Sequence, residues 1–181
     1  MGTENYVALL LMALFGVACG SSSTPAAATS PAAAPTSDAV TQTYVALIKS
    51  YWVGHMAADG ASGGVNLAAR ACLGTINDTS PADPNLVEPG TCHERGVLIL
   101  ASQEKFLADL KGTIAPERFG EDDKIFRRDL PSTIVLLKAM NSAAGQGNKQ
   151  GTFDAANSYA HIMLTWVVGA LDDVDPSTRH Y

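Results

Sequence analysis

Tyr51 and His55 are the pair whose types and spacing point most directly at chemistry. Four residues apart on a helix, their side chains project on the same side, one turn from each other. A phenol beside an imidazole is a donor set suited to a haem iron or a similar apolar cofactor. The plainer reading is a histidine at the edge of a core, hydrogen-bonded to a neighbour or favoured by the negative end of the helix dipole. Tyr44 adds a polar tip two turns earlier on the same stripe, and Trp166 offers an indole on the last helix of the chain. Tyr44, Tyr51, His55 and Trp166 are therefore the candidate ligand-binding residues. Buried polar tips require partners, and the glycine-rich joint after His55 is where a loop would admit a ligand. No Cys-x-x-Cys-His occurs, so covalent haem attachment is excluded. Haem is the alternative to the leading expectation, which is that no cofactor is bound.

Other matches carry less. Gly60-Ala61-Ser62-Gly63-Gly64 fits G-x-S-x-G, but a nucleophile elbow needs a strand before the serine and a helix after it. A helical pattern precedes Ser62, so a serine hydrolase is a remote alternative. His93-Glu94 opens like H-E-x-x-H, yet Val97 stands where the second histidine must be, and the zinc reading fails. Asp172, Asp173 and Asp175 place three carboxylates at the end of a helix, where they oppose its dipole. A divalent cation would compensate them, but solvent and a helix-stop turn are the simpler account, and the spacing is not an EF-hand loop. His161 shares a face with Asp154, Asn157 and Asp172 and is expected in solvent. These observations assign no catalytic residue and no metal ligand, and predict a protein that is not an enzyme.

The elements that must position these side chains are helices. Thr36-Ser37-Asp38 is a cluster of N-cap residues, after which Val40, Tyr44, Leu47, Ile48, Tyr51 and His55 recur at three- and four-residue steps. Asn66 is placed to cap a short helix, Leu67 to Leu73, stopped by Gly74. Thr91 and Glu94 form a T-x-x-E capping box that predicts the start of the second long helix. Its stripe of Ile99, Leu100, Phe106, Leu107 and Leu110 is interrupted by Gln103. The third runs from about Glu121 to Ala144, with acids in its first turn and Pro131 expected to kink or restart it. The fourth carries a seam of Phe153, Ala156, Ala160, Met163, Val167, Ala170 and Val174, broadened by Tyr159, Ile162 and Trp166. No convincing strand pattern occurs. The expectation is an all-α fold, an up-and-down four-helix bundle with a long loop between its first two long helices.

The N-terminal stretch says where such a domain works. Tyr6 to Ala18 is apolar, long enough for a secretory signal and shorter than the roughly 20 residues that span a bilayer. Gly16-Val17-Ala18-Cys19 resembles the lipobox of bacterial lipoproteins. The resemblance covers residues 1–19 and implies cleavage before Cys19, diacylation of that cysteine and anchoring to the cell membrane outside the cytoplasm. An ordinary signal peptide cut after Ala18, with Cys19 left as a thiol, is the alternative. Residues 20–37 are Ala, Ser, Thr and Pro with one glycine and no charge. They cannot bury enough apolar surface to offset ordering and are expected to act as a spacer. Residues 1–18 are thus the leader, 19–37 the lipidated cysteine and linker, and 38–181 one helical domain.

In an oxidising compartment the remaining two cysteines, Cys72 and Cys92, are expected to pair, stapling the long loop. A net charge of −6 for the whole chain and the absence of a basic run argue against nucleic acid and against anionic lipid headgroups. The expected partners are the membrane, through the lipid, and a protein or small molecule whose identity the sequence does not specify.

Overall fold

The computed structural model describes residues 36–55, 65–76 and 80–178. Cys19, the linker up to residue 35 and Ser62 lie outside the described residues, as does the side chain of His55. Six helices follow in order: α1 (Ser37–His55), α2 (Val65–Leu73), α3 (Pro89–Lys111), α4 (Gly120–Gly145), α5 (Lys149–Ile162) and α6 (Val168–Val174). A π-helical stretch, Met163–Val167, joins α5 to α6 without a break. Among the described residues there is no strand. The all-helical expectation therefore holds.

Local chemistry sets most of the helix ends. Thr36 caps α1, its hydroxyl accepting from Ala39 N at 3.3 Å. Asn148 caps α5 by accepting from Gly151 N at 2.9 Å. The start of α3 differs from the sequence expectation. Its N-cap is Glu88, three residues before Thr91, and no side chain bonds the cap. Pro89 at the first helical position supplies a φ already suited to a helix, and the Glu88 carbonyl accepts from Cys92 N at 2.8 Å. The Thr91–Glu94 box thus falls inside the helix. Pro131 neither stops nor restarts α4, which runs as one helix from Gly120 to Gly145. The ring is on the exposed side, while Leu130, Thr133 and Ile134 around it are buried. Packing on the inner face outweighs the hydrogen bond that the proline lacks.

The hydrophobic residues form two clusters. One gathers Tyr44, Ile48, Tyr51 and Trp52 of α1 with Phe106, Leu110, Phe126, Leu130 and the chain from Met163 to Val174. The other joins Ala68, Ala71 and Cys72 of α2 to Cys92, Ile99, Leu137, Met140, Ala144 and Ala156. Helix α3 lies along α4, and α4 along α5; α1 packs against α3 and α6, and α2 against α3 and α5. The fourth seam is buried at Ala156, Met163, Val167, Ala170 and Val174, while Phe153 and Ala160 are half-buried.

One close approach locks α3 to α4. A Cβ on Gly96 would stand 2.0 Å from Asn141 Oδ1 and 2.6 Å from Met140 Cε. The Asn141 amide is buried there with no hydrogen-bond partner on either side-chain atom among the described residues. Gly96→Ala is expected to destabilise the protein by roughly 1–3 kcal/mol through overpacking, although alanine is the better helix former. Asn141→Ala in the same chain should recover most of the loss, because it removes the nearest obstacle. Urea midpoints of the three variants check this, and a Gly96→Ala midpoint at or above that of the parent would contradict the close approach.

Candidate functional site

The two tyrosines predicted on the apolar face of α1, Tyr44 and Tyr51, are buried and their hydroxyls are bonded. Tyr44 donates to Asp123 Oδ1 at 3.1 Å. Asp123 also accepts from Arg127 Nε at 2.6 Å. The same guanidinium donates through Nη2 to Leu110 O at 2.9 Å and Thr113 O at 3.1 Å. One arginine therefore satisfies carbonyls at the end of α3 and holds the carboxylate that receives α1. Burial, then the Asp123 charge, pushes the Tyr44 hydroxyl well above its ordinary value.

Tyr51 belongs to a second network, centred on Gln103. Gln103 is fully buried. Its Nε2 donates to Tyr51 OH at 3.1 Å and Tyr159 OH at 2.9 Å, with Met163 Sδ at 3.4 Å. Its Oε1 accepts from Thr133 Oγ1 at 2.8 Å. Gln103 lies one turn beyond Ile99 and one turn before Phe106, which belong to different apolar clusters. It is thus a polar layer at the waist between them, reached by side chains of α1, α4, α5 and the π-helical stretch. The Tyr51 ring stacks on Phe106 with centroids 4.0 Å apart. Burial raises the Tyr51 and Tyr159 hydroxyls above their ordinary value.

Trp166 is not in the core. Half of its side chain is exposed, and Arg128 lies over its ring at 5.4 Å. Trp166 lies within the π-helical stretch, where Val168 N bonds back to Met163 O, five residues away. The seam residues on either side of it, Met163, Val167, Ala170 and Val174, are buried, and Trp166 stands at the edge of their stripe. Tyr44 and Tyr51 are members of one apolar cluster but bond to different groups, and Trp166 bonds to neither of those groups. His55 ends α1, its side chain outside the described residues. His93 Nδ1 lies 3.0 Å from Asn141 O, and His161 is exposed. Asp175 Oδ1 accepts from Ser177 N and Oγ at 3.1 and 2.7 Å, which makes a turn at the end of α6.

The stapled excursion after α2 is the other region built with care. Cys72 and Cys92 form a disulfide, joining α2 to the first turns of α3. Gly74 ends α2 at φ +65°, and a Cβ there would stand 2.0 Å from Asp83 O, so this left-handed position needs glycine. The chain then returns: Asp83 N donates to Leu73 O at 3.0 Å and Glu88 N to Ala71 O at 2.9 Å. Asp83 Oδ1 accepts from Asn85 N at 2.8 Å, and Lys149 Nζ reaches Asn85 O at 2.8 Å. Val87 is buried beneath the loop. Between α2, this loop and α3 opens a depression of about 410 Å³, with Arg70, Glu88 and Arg95 among its lining. The sequence assigns no role to these three; the one signal in it is a loop too long for a mere connector.

No family model matches the chain, and no curated protein or solved structure matches it. Function is therefore argued from the site.

Proposed function

We propose that the chain is an exported, non-enzymatic binding protein, anchored through a lipid on Cys19 to the outside of the cell membrane, whose helical domain recognises a partner protein or small ligand. The domain is read as an up-and-down four-helix bundle of α1, α3, α4 and the continuous α5–α6, with α2 and the stapled loop as the excursion between the first two long helices. Packing of α1 on α3 and α6, and of α4 on α3 and α5, supports that topology.

The observation that carries the export reading is the Cys72–Cys92 disulfide. Such bonds persist in oxidising compartments and are rare in the cytosol. The apolar leader ending in Gly16-Val17-Ala18-Cys19 agrees with it. The non-enzymatic reading is supported by the engagement of the core polar groups: Gln103, Tyr51, Tyr159 and Thr133 are bonded to one another. Tyr44, Asp123 and Arg127 likewise serve helix ends. Cys19→Ser is expected to move the protein from the membrane fraction to the soluble fraction, since a lone leader cysteine is the only attachment point in this account. Unchanged membrane fractionation of Cys19→Ser would refute the anchor.

A further inference from the structure

We infer that the depression where α1 begins is a binding site for a zwitterion on an aliphatic body, the chemistry of a short peptide with free termini or of a free amino acid. This rests on the binding reading above and names its ligand class. The depression has a volume of about 670 Å³, within the roughly 300–1,000 Å³ of small-ligand sites. Helix α1 contributes Val40 and Thr41 to its lining, and the connection between α3 and α4 contributes Ala115, Pro116, Glu117 and Arg118.

Two opposite charges select the ligand. Glu117 and Arg118 are both exposed, and neither is ion-paired among the described residues. A simple anion answers Arg118 but meets Glu117, and a simple cation has the reverse fault. A ligand that carries both signs satisfies both groups through charge-assisted hydrogen bonds. Beside the charges, Val40, Ala115 and Pro116 are half-buried and offer apolar surface to an aliphatic body. The Thr41 hydroxyl adds a group that both donates and accepts.

The lining is built before a ligand arrives. The Arg118 guanidinium lies 4.5 Å from the centre of the Phe119 ring, a contact that holds a cation without neutralising it. Phe119 is itself buried and stacks on Tyr44 of α1 with centroids 5.9 Å apart. The backbone of the connection is fixed as well. Phe119 N donates to Pro116 O at 2.9 Å, and Arg127 of α4 donates to Thr113 O at 3.1 Å. Groups already held in place lose little affinity to ordering when a ligand binds.

Titration of the purified exported chain with leucyl-leucine, followed by amide NMR shifts, tests this. Saturable shifts are expected at Thr41, Ala115 and Arg118. N-acetyl-leucyl-leucine amide has the same body and neither charge, and should give no saturable shifts there. Free leucine identifies the source: affinity equal to that of the dipeptide assigns the site to amino acids, weaker affinity to peptides, and both results support it. Glu117→Gln and Arg118→Gln should each weaken leucyl-leucine roughly tenfold or more, with melting temperatures near that of the parent. If Arg118→Gln melts lower through loss of its contact with Phe119, Arg118→Lys takes its place. Lysine keeps a cation over the ring without the planar fork, and it too must weaken the dipeptide. Absence of saturable shifts, capped dipeptide binding as tightly as the free one, or binding indifferent to the substitutions would each overturn the site. A chain that binds leucyl-leucine without being membrane-anchored retires the anchor alone. An anchored chain that does not bind it retires the site alone.

Discussion

Gln103→Ala is expected to lower the free energy of unfolding by roughly 3–5 kcal/mol, the largest effect of a single core substitution in this account. Two losses combine. Truncating a fully buried side chain leaves a cavity between the two apolar clusters. The hydroxyls of Tyr51, Tyr159 and Thr133 also lose the group that now bonds them. Gln103→Met separates the two terms, because it fills the space and makes none of those bonds. It should cost less than alanine but still roughly 1–3 kcal/mol. Urea unfolding followed by circular dichroism gives both values. A loss below about 1 kcal/mol for Gln103→Ala would show that the waist is not a cooperative polar layer.

The second large effect is at the staple. Cys72→Ala or Cys92→Ala should lower stability by roughly 2–5 kcal/mol. The bond closes a loop across 20 positions in sequence, and both cysteines are buried in the cluster that joins α2 to α3. Helix content of the surviving fold should not change, because α3, α4 and α5 are held mainly by one another. The loss should instead fall on α2 and the excursion, where hydrogen exchange would report earlier opening. A variant as stable as the parent, or one that loses the long helices at the same denaturant concentration as the excursion, would contradict this division.

Which parts were legible follows from what decides each. Periodicity placed Tyr44, Ile48 and Tyr51 on the buried face of α1 and Ile99, Phe106 and Leu110 on that of α3, because burial of an apolar stripe is a local pattern with a global consequence. The cysteine pair was legible from compartment and parity. Gln103 read as an interruption of a stripe. One turn from Ile99 and Phe106, it had to be buried, and a buried amide must be bonded. Its partners, however, lie on three other helices, and no sequence spacing gives those. The fourth seam held its register through the π-helical stretch, with Val167, Ala170 and Val174 buried as their spacing predicts. Trp166 stood at the edge of that stripe, where periodicity alone does not decide between core and solvent. The start of α3 moved because tertiary ties at Glu88 and a proline at the first position outweighed a sound capping box. The arginine-lined depression was not legible for a different reason: Arg70 and Arg95 are 25 positions apart, and the packing of α2 on α3, with the disulfide between them, brings both to its lining.

The central claim is that this helical domain works outside the cytoplasm, tethered by one cysteine and stapled by the other two. Intact mass spectrometry of the membrane-extracted protein, after alkylation under native, non-reducing conditions, reads all three cysteines at once. The account predicts a chain that begins at Cys19, carries a diacylglyceryl group there, and has no alkyl label on Cys72 or Cys92. A chain that retains its leader or lacks the lipid, or stoichiometric labelling of Cys72 and Cys92, would contradict it.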